Sequence, residues 1–189
     1  FQGIGRCNLA LSEVPQVDLD ETLTAERRDC LMGEAYFMRA FYYFQLARVF
    51  GGVPLIDDVI DTSDRWQQPR ATLEATYDHI IADLLEAEKV IWNKSRYEAK
   101  DLGRATRGAV LAMLCKVYLT VIRGTPAMIQ ILIMFFVVFS TARNGTPVAM
   151  LTFGINSGAY VSEIVRSGLM SVDPGQMEAG RSLGMNYFT

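Results

Sequence analysis

The chain has a single histidine, His79, and it is the first residue to weigh for acid–base chemistry. Asp78 and Asp83 lie near it, and an imidazole beside carboxylates is a pairing that general acid–base catalysis uses. A helix over 72–92 puts His79 on its polar side, which reads as a surface histidine rather than a catalytic one. The carboxylate pairs Asp57–Asp58 and Glu86–Glu88 are of the type that can divide acid and base roles. Set in a charged loop and along a helix face, they read as solvated side chains. Cys7, Cys30 and Cys115 lie far apart within apolar helical patterns and read as inert core thiols. One histidine and no Cys pair at ligand spacing leave no zinc site. The residues call for no metal and no cofactor. Gly51-Gly52 is followed by no Lys-Ser or Lys-Thr and preceded by no strand, so it is not a phosphate loop. Tyr42 and Tyr43 read as core aromatics. Trp66, in a polar loop, keeps two readings: a platform for a sugar ring, or an ordinary loop aromatic. No nucleophile–base pair is present at recognisable spacing, and no enzyme activity is expected.

The elements that must position these residues are helical. Residues 21–49 carry Leu31, Ala35, Met38, Tyr42, Gln45 and Val49 at three- and four-residue steps, which predicts a helix with that stripe inward. Tyr36, Phe37, Phe41, Tyr43 and Phe44 widen the apolar face, so it needs neighbours on two sides. Gly51 accepts a left-handed cap and Pro54 forbids continuation. Residues 55–71, rich in Asp, Arg, Gln and Pro, predict a loop. A second helix starts at an N-cap, Thr72, with Glu74 in its first turn and a stripe of Leu73, Tyr77, Ile80, Leu84 and Ile91. A third is expected over 104–120, and a short one over 1–14 closed by Pro15. The fold class expected is all-α: stacked helical hairpins of tetratricopeptide-like kind, followed by a membrane-type helical hairpin and a short coupling helix.

Composition breaks near residue 120. The chain has 189 residues, 18 Lys and Arg, 21 Asp and Glu, and a net charge of −3. Past residue 120 the only charges are Arg123, Arg143, Arg166, Arg181, Glu163, Asp173 and Glu178. That is a soluble-to-membrane shift in charge density. Whole-chain acidity argues against nucleic acid as a partner. Three scattered cysteines exclude a disulfide scaffold, and the aromatic and aliphatic content excludes disorder. Gly124 to Ala142 is uncharged and predicts either a spanning helix or a packed core helix. Asn144 to Ser162 is a weaker uncharged run, with Thr152, Asn156, Ser157 and three Gly. Gly154, Ser157, Gly158 and Ala159 are small residues of the kind found at tight helix contacts. Phe1-Gln2-Gly3 has neither initiator Met nor leader, and both ends read as truncated.

Four blocks, "GRCNLAL" at 5–11, "GEAYFMRAFYYFQLARVFGGVPLI" at 33–56, "ATLEATYDHIIADLLEAE" at 71–88 and "GRATRGAVLAMLCKVYL" at 103–119, resemble the SusD/RagB family in order and spacing. The resemblance implies an outer-membrane nutrient-binding protein. Its partners would be a glycan and a TonB-dependent SusC-like transporter. Two further blocks, "VIRGTPAMIQILIMFF" at 121–136 and "GAYVSEIVRSGLMSVDPGQMEAGRSLGM" at 158–185, resemble the permease subunit of polar amino-acid ABC importers. That resemblance implies an inner-membrane location. It also implies an ABC ATP-binding subunit and a periplasmic solute-binding protein as partners. Gly175, Gln176, Glu178, Ala179, Gly180, Leu183 and Gly184 match the loop that docks on the ATP-binding subunit. Gly180 stands where that family's pattern has Ala, which weakens the docking helix by about 1 kcal/mol.

Two domains are therefore expected, 1–120 and 121–189. A membrane hairpin would return the chain to the side it left, with Arg123, Arg166 and Arg181 on that side and Arg143 on the other. Such an arrangement cannot serve both resemblances in one membrane. The simplest account is a join of two truncated gene fragments near Leu119–Val121.

Overall fold

The computed structural model describes residues 1–60, 67–141 and 144–184, with only the backbone of Pro174 and Met177. Trp66 and Arg143 lie outside the described residues. Among the described residues seven α-helices carry the fold: α1 (Gln2–Glu13), α2 (Ala25–Phe50), α3 (Leu73–Val90), α4 (Arg107–Gly124), α5 (Ala127–Ile133), α6 (Gly145–Met170) and α7 (Pro174–Ser182). No strand occurs among the described residues. The chain is all-α, as its periodicities require. Its internal contacts group into Phe1–Tyr118 and Leu119–Thr189, with the boundary inside α4.

In the first unit α2 packs against both α1 and α3, which answers the demand of its wide aromatic face. Thr24 caps α2, its hydroxyl accepting from the Arg27 N–H at 3.3 Å. Gly51 ends α2 at φ +75°, a conformation that favours glycine. Gly52 follows because the backbone of residues 71–73 passes beside it: a Cβ there would lie 2.1 Å from the Ala71 carbonyl oxygen. Thr72 caps α3 as expected, accepting from the Ala75 N–H at 3.1 Å. The core joins Ile4 of α1, Ala40, Tyr43, Phe44 and Ala47 of α2, Ile80, Leu84 and Ala87 of α3, and Val110, Met113 and Val117 of α4.

Three expectations about faces are corrected. The buried side of α2 is Cys30, Gly33, Arg39, Ala40, Tyr43, Phe44 and Ala47, whereas Tyr42 and Val49 of the predicted stripe are exposed. Small residues and one arginine share the core side with Tyr43 and Phe44, while Leu31, Ala35, Met38 and Gln45 of the stripe are half-buried at its flank. Leu73 is 48% exposed, because it is the first residue of α3 and precedes the first core turn. Cys115 is exposed, unlike Cys7 and Cys30. It lies two residues from both Met113 and Val117, and a two-residue step turns about 200° around a helix.

In the second unit the first uncharged run is not one helix. Gly124 and Pro126 separate α4 from α5, and α5 continues only as a π-turn over Met134–Val138. The second run, judged weaker by composition, forms the 26-residue α6. Among the described residues α6 is the helix that alone is long and apolar enough to cross a membrane. α5 and α6 form a hairpin. Val148, Thr152 and Ala159 are the buried residues of α6, and the Arg123 guanidinium lies 5.3 Å over the Tyr160 ring. Of the small residues singled out, Ala159 is buried, while a Cβ on Gly154 or Gly158 would meet open space.

Candidate functional site

A buried ionic cluster holds the first unit's loop. Arg39 and Asp83 face each other from α2 and α3, with side chains 8% and 5% exposed. The guanidinium grips the carboxylate at two points, Nε–Oδ2 at 2.8 Å and Nη2–Oδ1 at 2.6 Å. Its third nitrogen donates to Asn8 Oδ1 of α1 at 3.0 Å. Asn8 Nδ2 then donates to the Ile56 carbonyl at 2.7 Å and the Asp58 carbonyl at 3.1 Å. The Tyr43 hydroxyl accepts from the Ile56 N–H at 2.7 Å. Asn8 of α1 and Tyr43 of α2 thus satisfy the backbone that follows Pro54, and the Arg39–Asp83 pair holds Asn8 in place. Burial works against the charge on Arg39, but the Asp83 carboxylate overrides it and holds the guanidinium above its ordinary value. Burial raises the Tyr43 phenol, and burial also raises the Cys7 thiol.

His79 belongs to this cluster and is not a surface residue. Its ring centroid lies 4.9 Å from that of Tyr43 with the planes tilted by 50°, its side chain is 12% exposed, and Nε2 contacts Asp57. Nδ1 lies 3.6 Å from Asp83 Oδ2 without a hydrogen bond. Asp57 and Asp83 draw the imidazole inward between them. Of the carboxylate pairs, Asp57 also lies 3.5 Å from Arg39, Glu86 pairs with Lys89, and Glu88 accepts from Arg107 at 2.7 Å. The signal for the cluster is in the sequence. Asp83 follows Ile80 by three residues and precedes Ala87 by four, a charge inside the buried stripe of α3.

A second polar system fastens residues 93–106 to α2. Glu34 accepts from Arg104 at 2.8 and 2.7 Å, and the Tyr97 hydroxyl donates toward the Ala105 carbonyl at 2.8 Å. Burial, with Cys30 and Glu34 adding to it, raises the Tyr97 phenol strongly. Beside it runs an open groove of about 790 Å³ lined by Glu26, Glu88, Trp92, Asn93, Arg96 and Arg107. Arg96 covers Trp92 with its guanidinium 4.3 Å from the ring centroid. Trp92 was not singled out by sequence because it follows an apolar stripe and reads as its continuation.

α7 presents the other candidate residues. Asp173 caps it by accepting from the Gly175 N–H at 2.8 Å, and Pro174 fits the first turn. Gly175, Gln176, Glu178 and Ala179 are exposed, Gly180 is half-buried, and Leu183 is 81% exposed at the C-cap. Gly184 follows at φ +80°. The helix is short and capped, and it exposes Gly175, Gln176, Glu178 and Ala179 to solvent.

The comparisons divide the chain in the same way. Residues 1–119 match a family described as starch-binding and associating with the outer membrane. Residues 102–189 match the binding-protein-dependent transport system inner membrane component. Both matches include most of α4. The L-cystine transport system permease protein TcyB of Bacillus subtilis is 39% identical over 88 residues, covering 46% of this chain and 38% of its own length. SusD-like protein P38 of Formosa agariphila is 38% identical over 87 residues, covering 46% of this chain and 16% of its own. A laminarin-binding SusD-like protein of known structure superposes with a TM-score of 0.57 at 33% identity, over 64% of this chain and 25% of that one. A SusD superfamily protein from Parabacteroides distasonis superposes with a TM-score of 0.54 at 42% identity, over 62% and 24%. The chain thus spans well under half the length of each of these relatives. Both matched families are described by binding and transport rather than by catalysis. Because residues 1–119 make up more than half of its length, the chain belongs to the SusD-like family, and it carries after them a segment of binding-protein-dependent permease type.

Proposed function

We propose that the chain serves nutrient uptake at the bacterial envelope through two functional pieces, 1–120 and 121–189. The first is a helical scaffold that binds glycan, with Trp66 as a stacking platform, beside a TonB-dependent SusC-like transporter. The second is a membrane piece of an amino-acid importer, working with a periplasmic solute-binding protein. Its Gly175, Gln176, Glu178, Ala179, Gly180, Leu183 and Gly184 dock an ABC ATP-binding subunit. The observation that supports the second role most directly is α7 itself. A short capped helix with an exposed carboxylate directly follows the long apolar α6. Such a helix can seat against another protein and pass a rigid-body motion to the membrane helix. Glu178→Lys should abolish co-purification with the ATP-binding subunit, and retention would overturn this role. Laminarin is the first glycan to titrate against the full chain. A Kd weakened at least tenfold by Trp66→Ala supports the first role, and unchanged binding removes Trp66 from it.

The chain carries no catalysis in this reading. His79 is enclosed by Asp57, Asp83 and Tyr43 rather than facing a cleft. Incubation with laminarin should release no reducing ends. Turnover that is lost on His79→Gln or Glu86→Gln would refute this.

A second reading is a join of two truncated genes in which neither activity survives. It is favoured by the family descriptions, which name two different membranes. A single DNA sequencing read from the source that spans codons 100–140 in frame would make the fusion real. Reads that never cross the join would assign the two pieces to separate proteins.

A further inference from the structure

Gln130 is the one polar residue in the apolar centre of the first uncharged run, and it is buried. Its surroundings follow from the proline four residues before it. If α4 continued, the Ile122 carbonyl would accept from the N–H of residue 126, but that residue is Pro126 and has none. Only the Thr125 N–H approaches Ile122, at 3.4 Å. Gln130 Nε2 supplies the missing donor, giving hydrogen bonds to the Ile122 carbonyl at 2.6 Å and the Thr125 carbonyl at 3.1 Å. Its Oε1 accepts from Asn156 Nδ2 of α6 at 2.9 Å. Both donors and the acceptor of the carboxamide are used. One side chain therefore closes the backbone wound left by Pro126 and ties it to the middle of α6. Freed carbonyls in an apolar setting are costly, and such internal repair is what permits a helix break there. α6 leads through three residues into α7.

We propose that Gln130 is a positioning residue that makes the Pro126 break and α6 open and close as one body. A displacement of α6 would then reach the break at 124–126 through Asn156 and Gln130. The use of this tie in transport rests on the reading of α7 as the docking helix; the tie itself does not.

The test is hydrogen exchange by mass spectrometry on the full chain in dodecyl maltoside micelles. Asn156→Leu should speed exchange about three- to tenfold at 121–130, the segment to which it is tied by its hydrogen bond to Gln130. Gln130→Leu should speed it at both 121–130 and 150–160, and the double variant should add nothing further. Gln130→Met keeps the length and bulk but has no donor, so it should behave like Gln130→Leu at the break. A space-filling role would leave it like the parent. Gln130→Asn, one methylene shorter, repeats the test with an amide retained, and unchanged exchange in α2 and α3 reports an intact fold. Effects of Asn156→Leu confined to 150–160, or additive effects, would overturn the proposal. Loss of ATP-binding-subunit capture on Glu178→Lys tests the docking reading separately, and either result can stand without the other.

Discussion

Arg39 organises the polar interior of the first unit. A buried ion pair costs much desolvation, so it is retained only where further hydrogen bonds complete it, as Asn8 does here. Arg39→Met strands Asp83 and should destabilise the first unit by roughly 3–5 kcal/mol in urea denaturation. Replacing both partners, Arg39→Met with Asp83→Leu, should recover most of that loss. Cys7, Tyr43, Tyr77 and Tyr97 set the response to alkali. Burial raises all four above their ordinary values, 9.0 for the thiol and 10.0 for the phenols, so the folded state favours the neutral forms. Their contribution is full below pH 9 and is lost as pH rises through the raised values. The urea midpoint should therefore fall between pH 8.5 and 11, and Cys7→Ala should flatten the start of that fall. Thr72 and Gly51 were legible in the sequence because capping is local chemistry. His79 was not, because its partner Asp57 lies 22 residues away on a loop that no periodicity places.

At the scale of elements, helix existence and the inward stripe of α3 were read well, and the facing of α2 was not. Caps and breakers fix where α2 and α3 begin and end. The inward side of α2 depends on what its neighbours offer, and α1 and α3 present small contacts and a carboxylate as well as apolar side chains. Gly33 faces Val90 and Ile91 at distances that leave a Cβ little room, and no apolar count would choose it. The order of the two uncharged runs also reversed, since hydropathy does not register a proline that removes one backbone donor. The α2–α3 connection gives the sharpest test. A Cβ at Gly52 would strike backbone at Ala71 and Thr72, where nothing can rotate away. Gly52→Ala should lower the thermal midpoint of the first unit by at least 5 °C, whereas Gly5→Ala, which meets open space within α1, should not lower it and should raise it by a few degrees through better helix propensity. The site on α7 was legible only through resemblance, because an exposed short helix carries no packing signature.

Over the whole molecule, the two contact groups predict two separable transitions. Calorimetry of the full chain in detergent should show Phe1–Tyr118 and Leu119–Thr189 melting at different temperatures, and Arg39→Met should move only one. A single transition shifted as a whole would contradict that division. The last core residue of the first group is Val117, so every side chain its interior needs has been made before any part of α5 exists. At about 5–20 residues per second the ribosome takes roughly 4–14 s to add the stretch that follows. Small helical domains with mostly local contacts fold within milliseconds. The nascent chain therefore offers a first unit that has already packed its core, not an extended thread, to whatever machinery receives α6.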